Sequence, residues 1–366
     1  MKRYSRFVFI LVIYNLLLLY IGYNGWIWST QWWPSLSPFL YSVVFLIFAY
    51  AYLLGGRNGP MLLKILGSYW FAFLEYSLLV LPVANIIGGI ALLYYDKHAV
   101  ILWTGIAALL AFLVIFIVGT RNAYSPVVRR YDVRIPKSGG KQSKLTMAVA
   151  SDMHFGLLSG RAHAGRLVSL LQREQPDLIL YPGDIIDDTT KHFVRKDMHT
   201  LLAQATAPLG VYGILGNHEY YGGEIDAYTQ LMEEIGIPIL RDEVRLIDDS
   251  FYIIGRNDYT DKKRQSIEAL VSSLDHGKPL ILLDHQPHAL EEAMKNGIDL
   301  SLSGHTHRGQ MAPNQLVTRR MFELDWGYKQ KQQLHAFVSS GFGFWGPPIR
   351  IGSRSELLVI TVTFIS

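Results

Sequence analysis

The chain has no cysteine among its 366 residues, which excludes disulfides, thiol nucleophiles and thiolate metal ligands together. It is also nearly without charge between positions 7 and 120, a stretch too apolar to be the surface of a water-soluble globule. From Arg121 onward charged residues recur every few positions among Pro, Gly, Asp and Asn, so composition alone separates a membrane part from a soluble part. The formal net charge of +4 is no nucleic-acid footprint, because Arg129, Arg130, Arg134 and Lys137 directly follow the last apolar stretch, where membrane topology places basic residues. No nucleic-acid partner is expected.

Four stretches, residues 7–23, 39–54, 62–95 and 100–120, are candidates for helices crossing a bilayer, which needs about 20 apolar residues per span. A cleavable signal peptide is not followed by three more such stretches, so all four are read as retained. The third would reach about 50 Å as a helix and contains Pro82, so one tilted, kinked helix with an interfacial end is expected. Glu75 lies inside it, where a carboxylate is costly; a partner on another helix accounts for it as well as a function does. With four spans, Lys2, Arg3, Arg6, Arg57, Lys64 and the basic group from Arg121 to Lys137 fall on one face, and Trp26, Trp28, Trp32 and Trp33 form a belt on the other. The expectation is a multi-pass protein of the plasma or inner membrane whose soluble part faces the cytoplasm, with the bilayer as a partner. Residues 121–144, including "PKSGGKQSK", are read as a basic juxtamembrane linker, and residues 145–366 as a separate domain.

In that domain short apolar runs alternate with loops and amphipathic stretches, an α/β pattern. Strands are expected at 145–150, 178–181, 210–215, 251–255, 280–283, 300–302, 336–339 and 357–363, and helices at 160–174, 193–205, 225–234, 266–273 and 288–295. Five of these strands run straight into ligand-type residues. "MAVASDMHFG" carries Asp152 and His154; "LILYPGDIIDD" carries Asp184, Asp187 and Asp188; "VYGILGNHEYYGG" carries Asn217, His218 and Glu219. "LILLDHQPH" carries Asp284 and His285, and "SLSGHTHRGQ" carries His305 and His307. Sites of open α/β sheets form at the carboxyl ends of strands, so the five loops are free to converge. A lone Asp after a strand is ordinarily a cap, and a lone His in an apolar run a satisfied core residue. Five strand ends in succession bearing such residues are not explained that way. Asp, His and an amide oxygen suit Mn²⁺, Fe or Zn²⁺, and one carboxylate, for which Asp184 is the choice, can bridge two ions. Gly183, Gly216 and Gly304 beside the ligands fit tight turns and a close backbone approach.

The ordered set "DMH", "GDIID", "GNHE", "DHQP" and "GHTH" resembles the calcineurin-like metallophosphoesterase superfamily over residues 145–366. The resemblance implies a four-layer αββα sandwich following the multi-span α-helical membrane region, and a two-metal hydrolase. By position, Asp152, His154, Asp184 and His307 would hold one ion, and Asp184, Asn217, His285 and His305 the other. His218 would contact substrate phosphate and protonate the leaving oxygen, Glu219 would orient His218, and Asp187 would brace the bridging loop. The implied reaction is attack of a metal-bound hydroxide on phosphorus. Together with the tail "SSGFGFWGPPIRIGSRSELLVITV", "SLSGHTHRGQ" is similar to the bacterial membrane-associated branch that includes UDP-2,3-diacylglucosamine pyrophosphatase-like phosphodiesterases. The multi-span region departs from that branch.

Proximity to a bilayer and the aromatics of "GFGFWGPP", namely Phe342, Phe344 and Trp345, favour a lipid-linked phosphodiester or pyrophosphate, with Arg308, Arg350 and Arg354 as candidates for a further phosphate. Two alternatives stand beside it: the same chemistry on soluble phosphodiesters or nucleotides with the membrane part as an anchor, and a membrane receptor or scaffold whose phosphoesterase-like domain only binds.

Overall fold

The computed structural model describes residues 2–55 and 59–365; Arg57, and the side chains of Lys2 and Arg3, lie outside the described residues. The chain divides into two compact units, Met1–Val118 and Gly119–Ser366.

The first unit is helical: α1 (Lys2–Trp32), α2 (Pro38–Ala49), α3 (Ala51–Gly55), α4 (Met61–Ala91) and α5 (Lys97–Tyr124), the last continuing into the second unit. Three helices are long and apolar enough to cross a membrane: Ser5–Trp32, Met61–Ala91 and Lys97–Tyr124. The stretch 39–54 differs from expectation. It is a 12-residue helix and a five-residue helix separated at Tyr50, whose φ of −103° and ψ of 8° break the regular path. Taken singly the two reach about 18 and about 8 Å, and neither alone matches the thickness of a hydrocarbon core. Helix α1 runs on past residue 23 to Trp32, carrying Trp26 and Trp28, which sequence alone assigns to a loop; Trp28 Nε1 donates to the carbonyl of Leu102 at 3.3 Å. The 62–95 stretch is one helix with Pro82 inside it, and Leu92–Tyr95 leaves it in a turn.

The second unit is built on two sheets. The first holds β1 (Val127–Ile135), β2 (Lys144–Val149), β3 (Leu178–Tyr181), β4 (Val211–Gly213) and β11 (Glu356–Phe364) in the order β1-β11-β2-β3-β4. The second holds β5 (Glu243–Ile247), β6 (Phe251–Gly255), β7 (Leu280–Leu283), β8 (Leu300–Ser303), β9 (Gly327–Lys331) and β10 (Leu334–Val338) in the order β5-β6-β7-β8-β10-β9. Strands β3, β7, β8 and β10 are buried at every position, as parallel strands covered on both faces must be. Leu145, Met147, Leu180, Ile360 and Val362 of the first sheet meet Ile253, Ile281, Leu283, Leu302 and Phe337 of the second in one core. Outside the first sheet pack α6 (Arg161–Glu174), α7 (Thr190–Arg195), α8 (Met198–Leu202) and α10 (Ile225–Glu234); α9 (Asn217–Gly222) starts at the end of the loop after β4. Outside the second pack α11 (Ile267–Val271) and α12 (Leu290–Lys295), completing an αββα arrangement of four layers; α13 (Gln315–Met321) follows β8.

The stretch 121–144, expected as a linker, is largely a strand. β1 runs parallel to β11 in the register Val127↔Glu356 to Ile135↔Phe364. Its arginines serve the fold: Arg129 Nε binds Glu356 Oε2 at 2.5 Å and its guanidinium lies over the Trp326 ring, while Arg130 pairs with Glu174 at 2.6 Å. Strands β5 and β9 are likewise additions to the sequence reading; both lie at a sheet edge, β5 with three of its five side chains exposed and β9 with alternate ones, so no apolar run announces them.

Glu356 is fully buried and accepts from Arg129 Nε, Trp326 Nε1 and the backbone N–H of Ser340. Glu356→Ala strands all three donors and is expected to destabilise this unit by about 2–4 kcal/mol, read as a lowered denaturation midpoint of the full chain in detergent.

Candidate metal centre

Parallel strands deliver the motif residues to one edge of the sandwich. Asp152 and His154 follow β2, Asp184 follows β3, Asn217 and His218 open α9 after β4, His285 follows β7, and His305 and His307 follow β8. The backbone turns sharply to do this: φ is 51° at Asp152, 44° at His154, 52° at Asp184, 71° at His305 and 48° at His307. Each such conformation costs on the order of 1 kcal/mol in a residue with a Cβ, and concentrated strain of this kind marks a site held open by the surrounding fold. Two glycines make the approach possible. A Cβ on Gly216 would lie 2.2 Å from Asp184 Oδ1, and one on Gly304 would lie 2.1 Å from Asp152 Oδ2, so they make room for carboxylates of the chain itself.

The side chains form groups fit to hold a cation: Asp152, His154 and His307; Asp184, His285 and His305; and a third, His154, Asp187 and His218, that the motifs did not specify. His154 Nε2 and His307 Nε2 face each other at 3.0 Å. Asp184 Oδ2 lies 3.1 Å from His285 Nε2 and 3.8 Å from His154 Nε2. Asn217 Oδ1 lies 2.8 Å from His305 Nδ1 and 3.2 Å from His285 Nε2. Because His285 Nδ1 sits 2.7 Å from the carbonyl of Pro182, to which it must donate, its Nε2 in the neutral ring is a lone pair aimed at two oxygen acceptors. His154 Nδ1 is buried without a hydrogen-bond partner. Converging acceptors of this kind require a positive charge among them, and nitrogen and oxygen donors at this density fit a divalent ion.

The electrostatics agree. Burial opposes ionisation of Asp184, yet His285 beside it, with His218 and His154, holds its pKa well below the usual carboxylate range. Burial likewise opposes charge on His285, but Asp184 holds it well above the ordinary histidine value. A proton on His285 thus supplies the charge the acceptors demand. His154 and His307 are held neutral, first by burial and then by His218 and His154 respectively, and His305 is pushed down to about 4 by burial and His285.

The structure corrects two assigned contacts. Glu219 does not orient His218; its carboxylate accepts from the backbone N–H groups of Asp184 at 3.1 Å, Ile186 at 3.1 Å and Gly216 at 2.7 Å, clamping the loops after β3 and β4 together. His218 Nδ1 is held by Asp188 Oδ1 at 2.7 Å, with Asp187 Oδ1 at 3.8 Å, so Asp187 faces the His154–His218 side rather than bracing the bridging loop. Asp188 was visible in sequence as the second half of "DD", but nothing there distinguished it from a loop acid. Asp284, held by Arg256 at 3.2 Å and Arg264 at 3.1 Å, anchors the loop that carries His285.

Most of the substrate candidates make contacts within the fold. Phe342 and Phe344 are buried, the latter edge-on to Tyr124 at 5.0 Å. Arg350 is fully buried and donates to the carbonyls of Ser340 at 2.6 Å and Gly343 at 2.7 Å, with Nη2 3.1 Å from His307 Nδ1. Arg354 donates to Ser125 O and Oγ. Arg308 lies over the Trp326 ring, 3.8 Å from its centroid, and Trp345 is exposed.

Two outcomes are expected from this geometry. A divalent ion must displace the proton on His285, so uptake releases protons and apparent affinity falls as pH falls; Mn²⁺ titrations in buffers of different ionisation enthalpy measure the protons released. Glu219→Gln, which replaces one acceptor oxygen by a donor facing N–H groups, is expected to weaken ion binding by about 10–100-fold, read in the same titration.

Residues 145–309 match the family model described as calcineurin-like phosphoesterase. An uncharacterized metallophosphoesterase of Aquifex aeolicus is 32% identical over 243 residues, covering 64% of this chain and 91% of that protein. A transmembrane protein with metallophosphoesterase domain from Danio rerio is 30% identical over 274 residues, 70% of this chain and 62% of that protein. The uncharacterized metallophosphoesterase YkuE of Bacillus subtilis is 29% identical over 229 residues, 58% of this chain and 77% of that protein. The chain thus spans less than two thirds of the Danio rerio relative. With the ordered motifs, the converging donors and this similarity in agreement, the chain belongs to the calcineurin-like metallophosphoesterase family.

Proposed function

We propose that this protein is a bilayer-anchored hydrolase that holds two divalent ions and cleaves a phosphodiester or pyrophosphate bond of a lipid-linked substrate. The observation that carries the reading is the position of Asp184, whose single oxygen Oδ2 is within 3.1 Å of His285 Nε2 and 3.8 Å of His154 Nε2 and so joins the two donor groups. Asp152, His154, Asp184 and His307 hold one ion in this reading; Asp184, Asn217, His285 and His305 hold the other. Mn²⁺ is the proposed ion, and Fe or Zn²⁺ suit the same donors. Once bound, the ions supply Lewis-acid stabilisation of charge on phosphoryl oxygens and a water nucleophile of lowered pKa.

His218 supplies the proton. Burial works against its charge, but the Asp188 hydrogen bond, with Asp184 and Asp187, raises its pKa to about 9, so the ring is cationic at neutral pH. With Nδ1 engaged by Asp188, Nε2 is the nitrogen that meets a substrate oxygen, offsets phosphate charge and protonates the departing group. A lipid-linked substrate is supported by the membrane-crossing helices and the exposed Trp345. The basic residues flanking the apolar stretches support a cytoplasmic catalytic unit, with α2 and α3 together counted as a crossing.

The test is ³¹P NMR of Mn²⁺-loaded full chain with mixed-lipid vesicles and soluble phosphodiesters together, beside an Asn217→Ala control. Selective loss of a lipid phosphorus signal is expected; cleavage of soluble compounds alone would reduce the membrane part to an anchor. His218→Ala is expected to lower kcat by about 10²–10⁴-fold with ion content unchanged. Because His218 must be protonated, activity falls as pH rises through its pKa. Asp188→Asn removes a charge that raises that pKa and is expected to move this alkaline limb to lower pH by about one unit, measured as a pH profile of kcat/KM.

A further inference from the structure

We infer that α13 and the loop bearing Trp345 form a docking face for an anionic bilayer surface, beside the metal centre. Leu316, Val317 and Met321 on α13 are 62, 55 and 63% exposed, and Trp345 is 58% exposed, an unusual set of large apolar side chains to leave in water. On a helix Val317 and Met321 stack one turn apart, as do Leu316 and Arg320, so the apolar residues share a face rimmed by arginine. Arg319 and Arg320 are exposed and in no ion pair among the described residues, whereas the acids that follow are engaged: Glu323 by Lys329 and Lys331, Asp325 by Thr318 Oγ1. Exposed apolar side chains mixed with unpaired cations and a tryptophan match the interface of an anionic membrane, where each surface arginine gains about 1 kcal/mol.

The hydrogen bonds of this face point to the same partner. Gln310 binds both the N–H and the carbonyl of Trp345, and Gln315 donates to Ile351 O, which joins α13 to the loop 345–351. The same loop is bonded to the last turn of α5: Arg350 N–H donates to Gly119 O, and Asn122 Nδ2 donates to Arg350 O at 3.1 Å. Those residues lie at the C-terminal end of Lys97–Tyr124, a helix long and apolar enough to cross a membrane, so the face is bonded to the segment of chain that follows that helix's apolar stretch. It also brackets the metal centre. His305 and His307 precede α13, and Phe322, the residue after it, lies edge-on to His305 at 6.0 Å. Docking therefore presents the rim of the centre to lipid head groups; that consequence rests on the lipid-substrate reading, whereas docking itself does not.

The absence of cysteine makes the test direct. Full chains carrying Val317→Cys, Met321→Cys or, as a water-facing reference, Leu246→Cys are spin-labelled and placed in nanodiscs of phosphatidylcholine with or without phosphatidylglycerol. The ratio of oxygen to nickel-chelate collision rates is then measured by EPR. The expected result is a ratio several-fold higher at 317 and 321 than at 246 in anionic discs, reduced when phosphatidylglycerol is left out or when Arg319→Glu and Arg320→Glu are added. Equal ratios at all three positions, or dipolar broadening that marks a second copy of the chain on this face, overturn the inference. Immersed labels without lipid hydrolysis uphold docking and remove the lipid-substrate reading; lipid hydrolysis with water-exposed labels does the reverse.

Discussion

The buried carboxylate of Glu219 is the contact on which the rest of the centre depends. Three backbone N–H groups from two loops converge on it, and neither loop has regular structure of its own to hold it there. With those loops clamped, Asp184 is delivered between two sets of histidines, and the N–H of His218 reaches Asp184 Oδ1 at 2.9 Å. A charged acceptor with several donors is one of the few interactions strong enough to offset positive φ values at neighbouring residues. Its own desolvation raises the pKa of Glu219 to about 7. The clamp therefore weakens as Glu219 gains a proton.

The second sheet contributes in a different way. Its loops bring His285, His305 and His307 against Asp152, His154 and Asp184 of the first sheet's loops, so the candidate centre exists only where the two sheets meet. The apolar core between the sheets sets that distance. Packed interiors resist small displacements, and a core of this kind holds ligand atoms more firmly than loops alone would. Arg350 extends the same support to His307 from a loop after β10: its guanidinium donates to the carbonyls of Ser340 and Gly343, and its Nη2 lies 3.1 Å from His307 Nδ1.

Central strands, and the grouping of the candidate ligand residues at their ends, were legible in sequence for one reason: parallel strands buried on both faces read as uninterrupted apolar runs, and ligand-type residues stand immediately after them. β3, β7 and β8 begin and end within a residue of the expected positions. β1, β5 and β9 were not legible, since an edge strand needs only alternate apolar positions and shows charge on the others. The arginines of β1 read as a juxtamembrane cluster because their partners, Glu356 and Glu174, are distant in the chain. Asp188 and the actual role of Glu219 were hidden for the same reason. Chemistry that depends on which carboxylate rotates toward which ring leaves no trace in spacing.

The sequence by itself determined the division into an apolar helical part and an α/β part, the family, and which residues are candidate metal donors. These depend on local period and on residue type in order along the chain. Tertiary structure alone decided that Asp188 holds His218, that Glu219 clamps two loops, that Phe342, Phe344 and Arg350 are buried, and that Arg354 is bonded to Ser125. An aromatic or an arginine in a loop has the same local sequence whether it faces solvent or the core. Its environment is set by residues tens to hundreds of positions away.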